Sequence, residues 1–138
     1  MVCYKRKIMY YETDRMGITH HSNYVRIMEE ARLNYLEAVG LSYAALEETG
    51  LISPVLGVNC QYKESTTYDD ALEVEVRLAE YNGVRLKFAY VMKKTSSGKT
   101  VFTATSEHCF LNKEGRIIRF KNAYPEMHQT LTALVETA

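Results

Sequence analysis

Residues 10–24 read Tyr-Tyr-Glu-Thr-Asp-Arg-Met-Gly-Ile-Thr-His-His-Ser-Asn-Tyr and gather two carboxylates, a glycine and two of the four histidines just before an amphipathic stretch. The first turn of a helix carries backbone N–H groups without intrahelical acceptors, and the macrodipole adds partial positive charge there. Such donors can stabilise an oxyanion forming on an acyl carbonyl. Asp14 lies in the connection leading to that turn. An aspartate in water is ionised at neutral pH and can act as base or nucleophile. Gly17 lets the backbone approach a ligand with no Cβ in the way. A carboxylate beside an oxyanion hole is a minimal site for acyl hydrolysis. The competing reading is local: Asp14 caps a turn through its own backbone.

The stretch Glu12-Thr13-Asp14-x-x-Gly17-x-x-His20-His21-Ser22-Asn23-Tyr24 resembles the signature of hotdog-fold acyl-CoA thioesterases, specifically the 4-hydroxybenzoyl-CoA thioesterase and YbgC-like group. The resemblance extends over most of the chain, through the Glu- and Arg-rich helix, Tyr62 and the Tyr68-Asp69-Asp70 region. It implies a hotdog fold, in which a curved antiparallel sheet wraps a long central helix. It also implies that Asp14 is the catalytic carboxylate, as nucleophile or as base for water. His21 falls where the family's helix tip supplies a backbone N–H to the thioester oxygen, and its side chain is a second catalytic candidate. Tyr10 matches an aromatic near the site, and His20 stands where an aromatic is common, so both are expected to line the substrate pocket with Gly17. Glu12 departs from the Asp-Thr-Asp of many relatives and leaves Asp14 unchanged.

The expected reaction is hydrolysis of an acyl-CoA thioester to free acid and coenzyme A, with no cofactor and no metal. Two rivals share the pocket: a non-catalytic acyl-CoA sensor, and a hotdog hydratase that leaves the thioester intact. Glu29 and Glu30, on the helix, read as a solvated face, because such residues are usually exposed. His20 and His21 are neighbours and point apart on a helix, unlike a metal-binding i, i+4 pair. His108 and His128 read as structural or solvated. No Gly-x-x-x-x-Gly-Lys-Ser/Thr, Gly-x-Gly-x-x-Gly or Gly-x-Ser-x-Gly sequence occurs, which removes the main signatures of nucleotide hydrolysis, Rossmann cofactors and serine-hydrolase elbows.

The elements that must hold this segment follow from periodicity. Residues 2–10 read as a strand. Tyr24, Ile27, Met28, Ala31, Tyr35, Leu36, Ala38 and Val39 recur at three- and four-residue steps and predict a long helix, with Ser22 or Asn23 as its cap and Gly40 as its stop. A short helix is expected from Ser42 towards Gly50. Leu72, Val74, Val76 and Leu78 alternate with Glu73, Glu75 and Arg77, the pattern of a strand with one wet face. Asn82-Gly83 signals a hairpin, and further strands are expected from Val84 to Met92, about Lys99 to Leu111, and Arg116 to Phe120. Pro125 opens a final helix. The order is α+β, one helix against one meander. The sheet's outer face and edges are left to meet another copy, so a homodimer or homotetramer is expected, with the pocket between subunits.

The 138 residues suit one domain, 1–138, and 46% hydrophobic with 25% charged residues argues against disorder. Seventeen basic and seventeen acidic residues give no net charge, which weighs against nucleic acid as a partner. No apolar run is long enough to span a membrane. The N-terminus lacks a secretory apolar stretch, and three scattered cysteines form no disulfide framework, which together favour a cytoplasmic location.

Overall fold

Leu72, Val74, Val76 and Leu78 are all buried, while Glu73, Glu75 and Arg77 between them stay half-exposed, so the alternation read from sequence is the two faces of one strand. The computed structural model describes residues 1–137. Its strands are β1 (Val2–Lys7), β2 (Val55–Tyr62), β3 (Ala71–Tyr81), β4 (Leu86–Lys94) and β5 (Thr100–His108). They form one sheet in the order β1-β3-β4-β5-β2, antiparallel throughout. Register puts Val74 opposite Met92 and Met92 opposite Phe102, and all three are buried on the inner face. The outer face carries charge, including a Lys93–Glu75 ion pair at 3.0 Å.

Helix α1 (Ser22–Ala38) fills the inner face. Its buried residues are Tyr24, Ile27, Met28, Ala31, Tyr35 and Leu36, the predicted stripe. Each large apolar side chain so buried contributes about 1.5–3 kcal/mol. Gly40 ends the helix at φ +85°, with its N–H on Glu37 O and the Leu41 N–H reaching back 2.7 Å to Leu36 O. That paired closure needs a left-handed residue, which glycine adopts without strain. The helix start differs from the reading. His21 holds the cap position, and Ser22 and Asn23 are already helical. Their side chains are used elsewhere: Ser22 Oγ bonds His20 Nδ1, and Asn23 Nδ2 donates to Glu12 O, both at 2.8 Å.

Three short helices complete the chain: α2 (Tyr43–Glu48), α3 (Phe120–Ala123) and α4 (Pro125–Leu134). Two strand readings are corrected. The first strand stops at Lys7, because Ile8 turns into the core and Tyr10–Glu12 form a single 3-10 turn. The Arg116–Phe120 stretch makes only an isolated bridge, Ile117 to Leu111, and Phe120 enters a helical turn with its ring fully buried. Strand β2 is an edge of the sheet, and Val55, Leu56, Val58 and Tyr62 along it are exposed. Among the described residues no helix is long and apolar enough to cross a membrane.

Candidate active site

The spacing of Asp14 and Gly17 has a local cause. Thr13 and Thr19 pair as a short antiparallel bridge, and residues 14–18 turn between them. Gly17 N–H donates to Asp14 O at 3.0 Å, Asp14 N–H donates to Ile18 O at 2.8 Å, and Gly17 sits at φ +79°. This is a tight turn followed by a left-handed residue, the position at which glycine costs least. Asp14 Oδ1 accepts from the Met16 N–H at 2.8 Å, the side-chain bond that favours aspartate at the first position of such a turn. The local reading of Asp14 is therefore correct for one oxygen. Oδ2 has no protein partner among the described residues, and the residue is half-exposed.

The turn folds Asp14 back towards the tip of α1. His20 N–H donates to Glu12 O at 2.8 Å, which seats the histidines beside the ribbon. Asn23 N–H and Tyr24 N–H bond the carbonyls of His20 and His21, and Ser22 N–H lies 3.3 Å from His20 Nδ1. The His21 N–H, one residue earlier, has no acceptor among the described residues. Two open depressions flank Asp14. Tyr10, Tyr11, His20 and Asn23 line one of them, with Arg15 at its edge. His21, Tyr24, Tyr62 and Lys63 line the other. Asp14, His20, His21 and Tyr10 are thus brought together, whereas Gly17 shapes the turn and lines neither depression.

A buried network holds this region to the core. Glu12 is 4% exposed; its carboxylate accepts from Met9 N–H at 2.8 Å and pairs with Arg6. Arg6 also makes two 2.9 Å bonds to Glu30, which accepts from Tyr4 OH at 3.0 Å. Glu30, its side chain 41% exposed, is solvated as expected and also serves as an anchor; Glu29 is exposed as expected. On the other side, Thr19 Oγ1, Thr66 Oγ1 and Tyr24 OH form a buried chain at 2.6 and 2.9 Å. Tyr62 donates to His21 O at 3.2 Å and packs edge-on against Tyr24 and Phe102. Nothing in the spacing of Arg6, Tyr62 or Thr66 pointed to these contacts, because each joins segments distant in sequence.

A second, more enclosed cavity of about 240 Å³ lies between the later turns of α1 and the sheet. Leu33, Leu36, Phe88 and Leu131 supply apolar wall, and Glu29, Arg32 and His108 also line it. His108 is 3% exposed, and its Nε2 lies 2.7 Å from Ser106 Oγ, which lies 2.6 Å from Tyr90 OH. Burial, aided by the positive charge of Arg32, lowers the imidazole pKa to about 4, so it is neutral at pH 7. The same inner-face alternation that reads Ala104, Ser106 and His108 together was the available signal for this polar pair.

Residues 9–133 match the Thioesterase-like superfamily. A Bacillus subtilis protein named provisionally as the acyl-CoA thioesterase YneP is 33% identical over 123 residues, 88% of each chain. The acyl-CoA thioesterase YbgC of Haemophilus influenzae is 30% identical over 83 residues, 59% of this chain and 61% of its own. The solved DHNA-CoA thioesterase of Staphylococcus aureus superposes with a TM-score of 0.90 at 30% identity, over 95% of this chain and 88% of its own. The expected hotdog fold is the one observed.

Proposed function

The chain belongs to the thioesterase-like superfamily, and from that premise we propose that it hydrolyses an acyl-CoA thioester to a free acid and coenzyme A, acting as one domain over residues 1–138. One observation carries the reading: His21, whose N–H is unpartnered, and Asp14, whose Oδ2 is free, line the same depression. A thioester carbonyl oxygen seated on the His21 amide is polarised as charge develops on it. Asp14 then attacks the carbonyl carbon, forming a mixed anhydride and releasing coenzyme A thiolate, after which water cleaves the anhydride to the free acid and the Asp14 carboxylate. In the other route Asp14 takes a proton from water that attacks the thioester directly. In either route Asp14 is the catalytic residue and His21 contributes its backbone amide. Tyr10 and His20 line the substrate's approach, and Gly17 keeps the turn closed. Arg15 and Lys63, exposed at the two openings, meet the coenzyme A phosphates.

The working unit in this reading is a homodimer. Val58 and Tyr62 point to the inner side of the sheet, the side α1 covers, yet remain 46% and 49% exposed. Val25 and Leu33 of α1 are exposed as well. A second copy added antiparallel along the free edge of β2 would cover this apolar strip and satisfy the edge. The same pairing sets the Tyr62 end of β2, next to Asp14, beside the Val55 end of the second copy, where the enclosed cavity opens.

The test is thiol release from aromatic, short and long acyl-CoAs, compared between the wild type and Asp14→Asn. Asparagine still accepts the Met16 N–H and keeps the turn, while the negative charge is gone. We expect kcat to fall by at least about a hundredfold, the scale of losing a catalytic acid or base, with thermal stability unchanged. Undiminished turnover in the folded variant would refute the assignment; binding without turnover in the wild type would favour the sensor.

A further inference from the structure

Arg32 is half-buried beside the enclosed cavity and forms no salt bridge among the described residues; its one hydrogen bond runs from Nη1 to Tyr90 OH at 3.2 Å. From Tyr90 the chain passes to Ser106 and then to His108 Nε2. Proton accounting gives the chain a direction. A guanidinium only donates, so Tyr90 accepts from Arg32. Tyr90 is buried and does not line the cavity, and among the described residues Ser106 is the only acceptor within reach of its proton. With no other acceptor for the Tyr90 proton among the described residues, Ser106 must then donate to His108 Nε2. A neutral imidazole that accepts at Nε2 carries its proton on Nδ1. His108 Nδ1 has no partner, yet no sealed side-chain nitrogen or oxygen lacks one among the described residues, so Nδ1 reaches accessible space.

Arg32, a guanidinium with N–H groups to spare, and His108, an imidazole with a free N–H, thus both bring donors to a cavity walled mainly by hydrocarbon. The hydroxyls of Tyr43 and Ser53 are its other neutral polar groups. Glu29, the one carboxylate among the lining residues, is exposed and forms no salt bridge with Arg32 among the described residues. Its charge is screened by water far more than that of the half-buried Arg32. A half-buried cation without a salt bridge and a spare donor beside an apolar cleft favour an acceptor, and an anionic one most strongly. The volume of about 240 Å³ suits a short chain or one ring.

We propose that the cavity receives the far end of the acyl group and selects acyl groups ending in a carboxylate, held by Arg32 and the His108 Nδ1–H. The proposal rests on the thioesterase reading and its dimer, since α1 separates Asp14 from Arg32 of the same chain by about 15 Å from Ser22 onward, at 1.5 Å per residue. The decisive measurement is calorimetric binding of adipoyl-, hexanoyl- and 4-hydroxybenzoyl-CoA to Asp14→Asn protein, in which turnover is removed. Adipoyl-CoA should bind at least about tenfold tighter than hexanoyl-CoA, the usual scale of a hydrogen bond to a charged group. Adding Arg32→Met should collapse that ratio towards one, and Arg32→Lys, which keeps the charge, should preserve part of it. Equal binding of the two thioesters, a preference for the phenol or methyl end, or a ratio that survives Arg32→Met would overturn the proposal. The hydrolase reading is judged separately: a wild type that cleaves none of the three thioesters fails that reading, while the binding ratio still decides what the cavity selects.

Discussion

The two ends of α1 solve the problem of holding polar groups in opposite ways. At its tip, Asp14 and the His21 amide are placed by backbone: a tight turn, a bridge and a first helical turn, open to water on both sides. Farther along, His108, Ser106, Tyr90 and Arg32 are placed by one another, beside an apolar cleft that only Arg32 and His108 line. Backbone placement is cheap and tolerant of side-chain change. Side-chain placement in low dielectric is strong only while every member is satisfied.

That contrast can be broken from either side. The largest expected effect is at the anchor of the tip. Arg6→Met leaves the buried Glu12 carboxylate without its cation, and breaking a buried pair in this way costs about 3–5 kcal/mol. Denaturant unfolding at pH 7 would measure it; a loss under 1 kcal/mol would mean Glu30 and the Met9 amide suffice. Next comes acid. His108 is neutral in the fold with its pKa lowered to about 4 from 6.5. The unfolded chain therefore takes up the proton first as pH falls below 6.5. The stabilisation it provides is full above that value and is lost on the way down through 4. At pH 4 the loss amounts to about 3 kcal/mol. Comparing unfolding free energies of wild type and His108→Gln across that window isolates the contribution, and parallel curves would show that His108 is not responsible.

Smaller effects test the tip. Gly17→Ala puts a Cβ at φ +79° in open space, so the penalty is conformational strain of about 1–2 kcal/mol. It should also lower kcat, because Asp14 is aimed by the same turn. Tyr62→Phe removes one half-exposed bond to His21 O and should cost about 0.5–1.5 kcal/mol at most, with a melting shift of a few degrees as its readout.

Legibility in the sequence followed the range of the interaction. The stripe from Tyr24 to Leu36 and the alternation from Leu72 to Leu78 are repeated signals along a single element, and both became core. The turn-capping bond of Asp14 was legible because the turn closes within residues 14–18, whereas Gly17, expected in the pocket, serves that turn instead. The cap at His21 was misread because the side chains of Ser22 and Asn23 answer to His20 and Glu12, outside the helix. The anchoring contacts of Glu30 were out of reach for the same reason: its partners, Tyr4 and Arg6, lie more than twenty residues upstream. The His108 relay spans α1, β4 and β5, and only its Ser106–His108 step is local in sequence.

The turn that aims Asp14 asks only for a short side chain with an acceptor oxygen at the δ position. Glutamate, one methylene longer, would overreach the Met16 amide, so keeping the charge would not keep the geometry. Asparagine keeps the geometry, and a single nucleotide change in an aspartate codon supplies it. Folding gives such a change nothing to resist. A lineage that relaxed its need for hydrolysis could therefore drift into a pure binder of the same ligands without passing through an unstable ancestor.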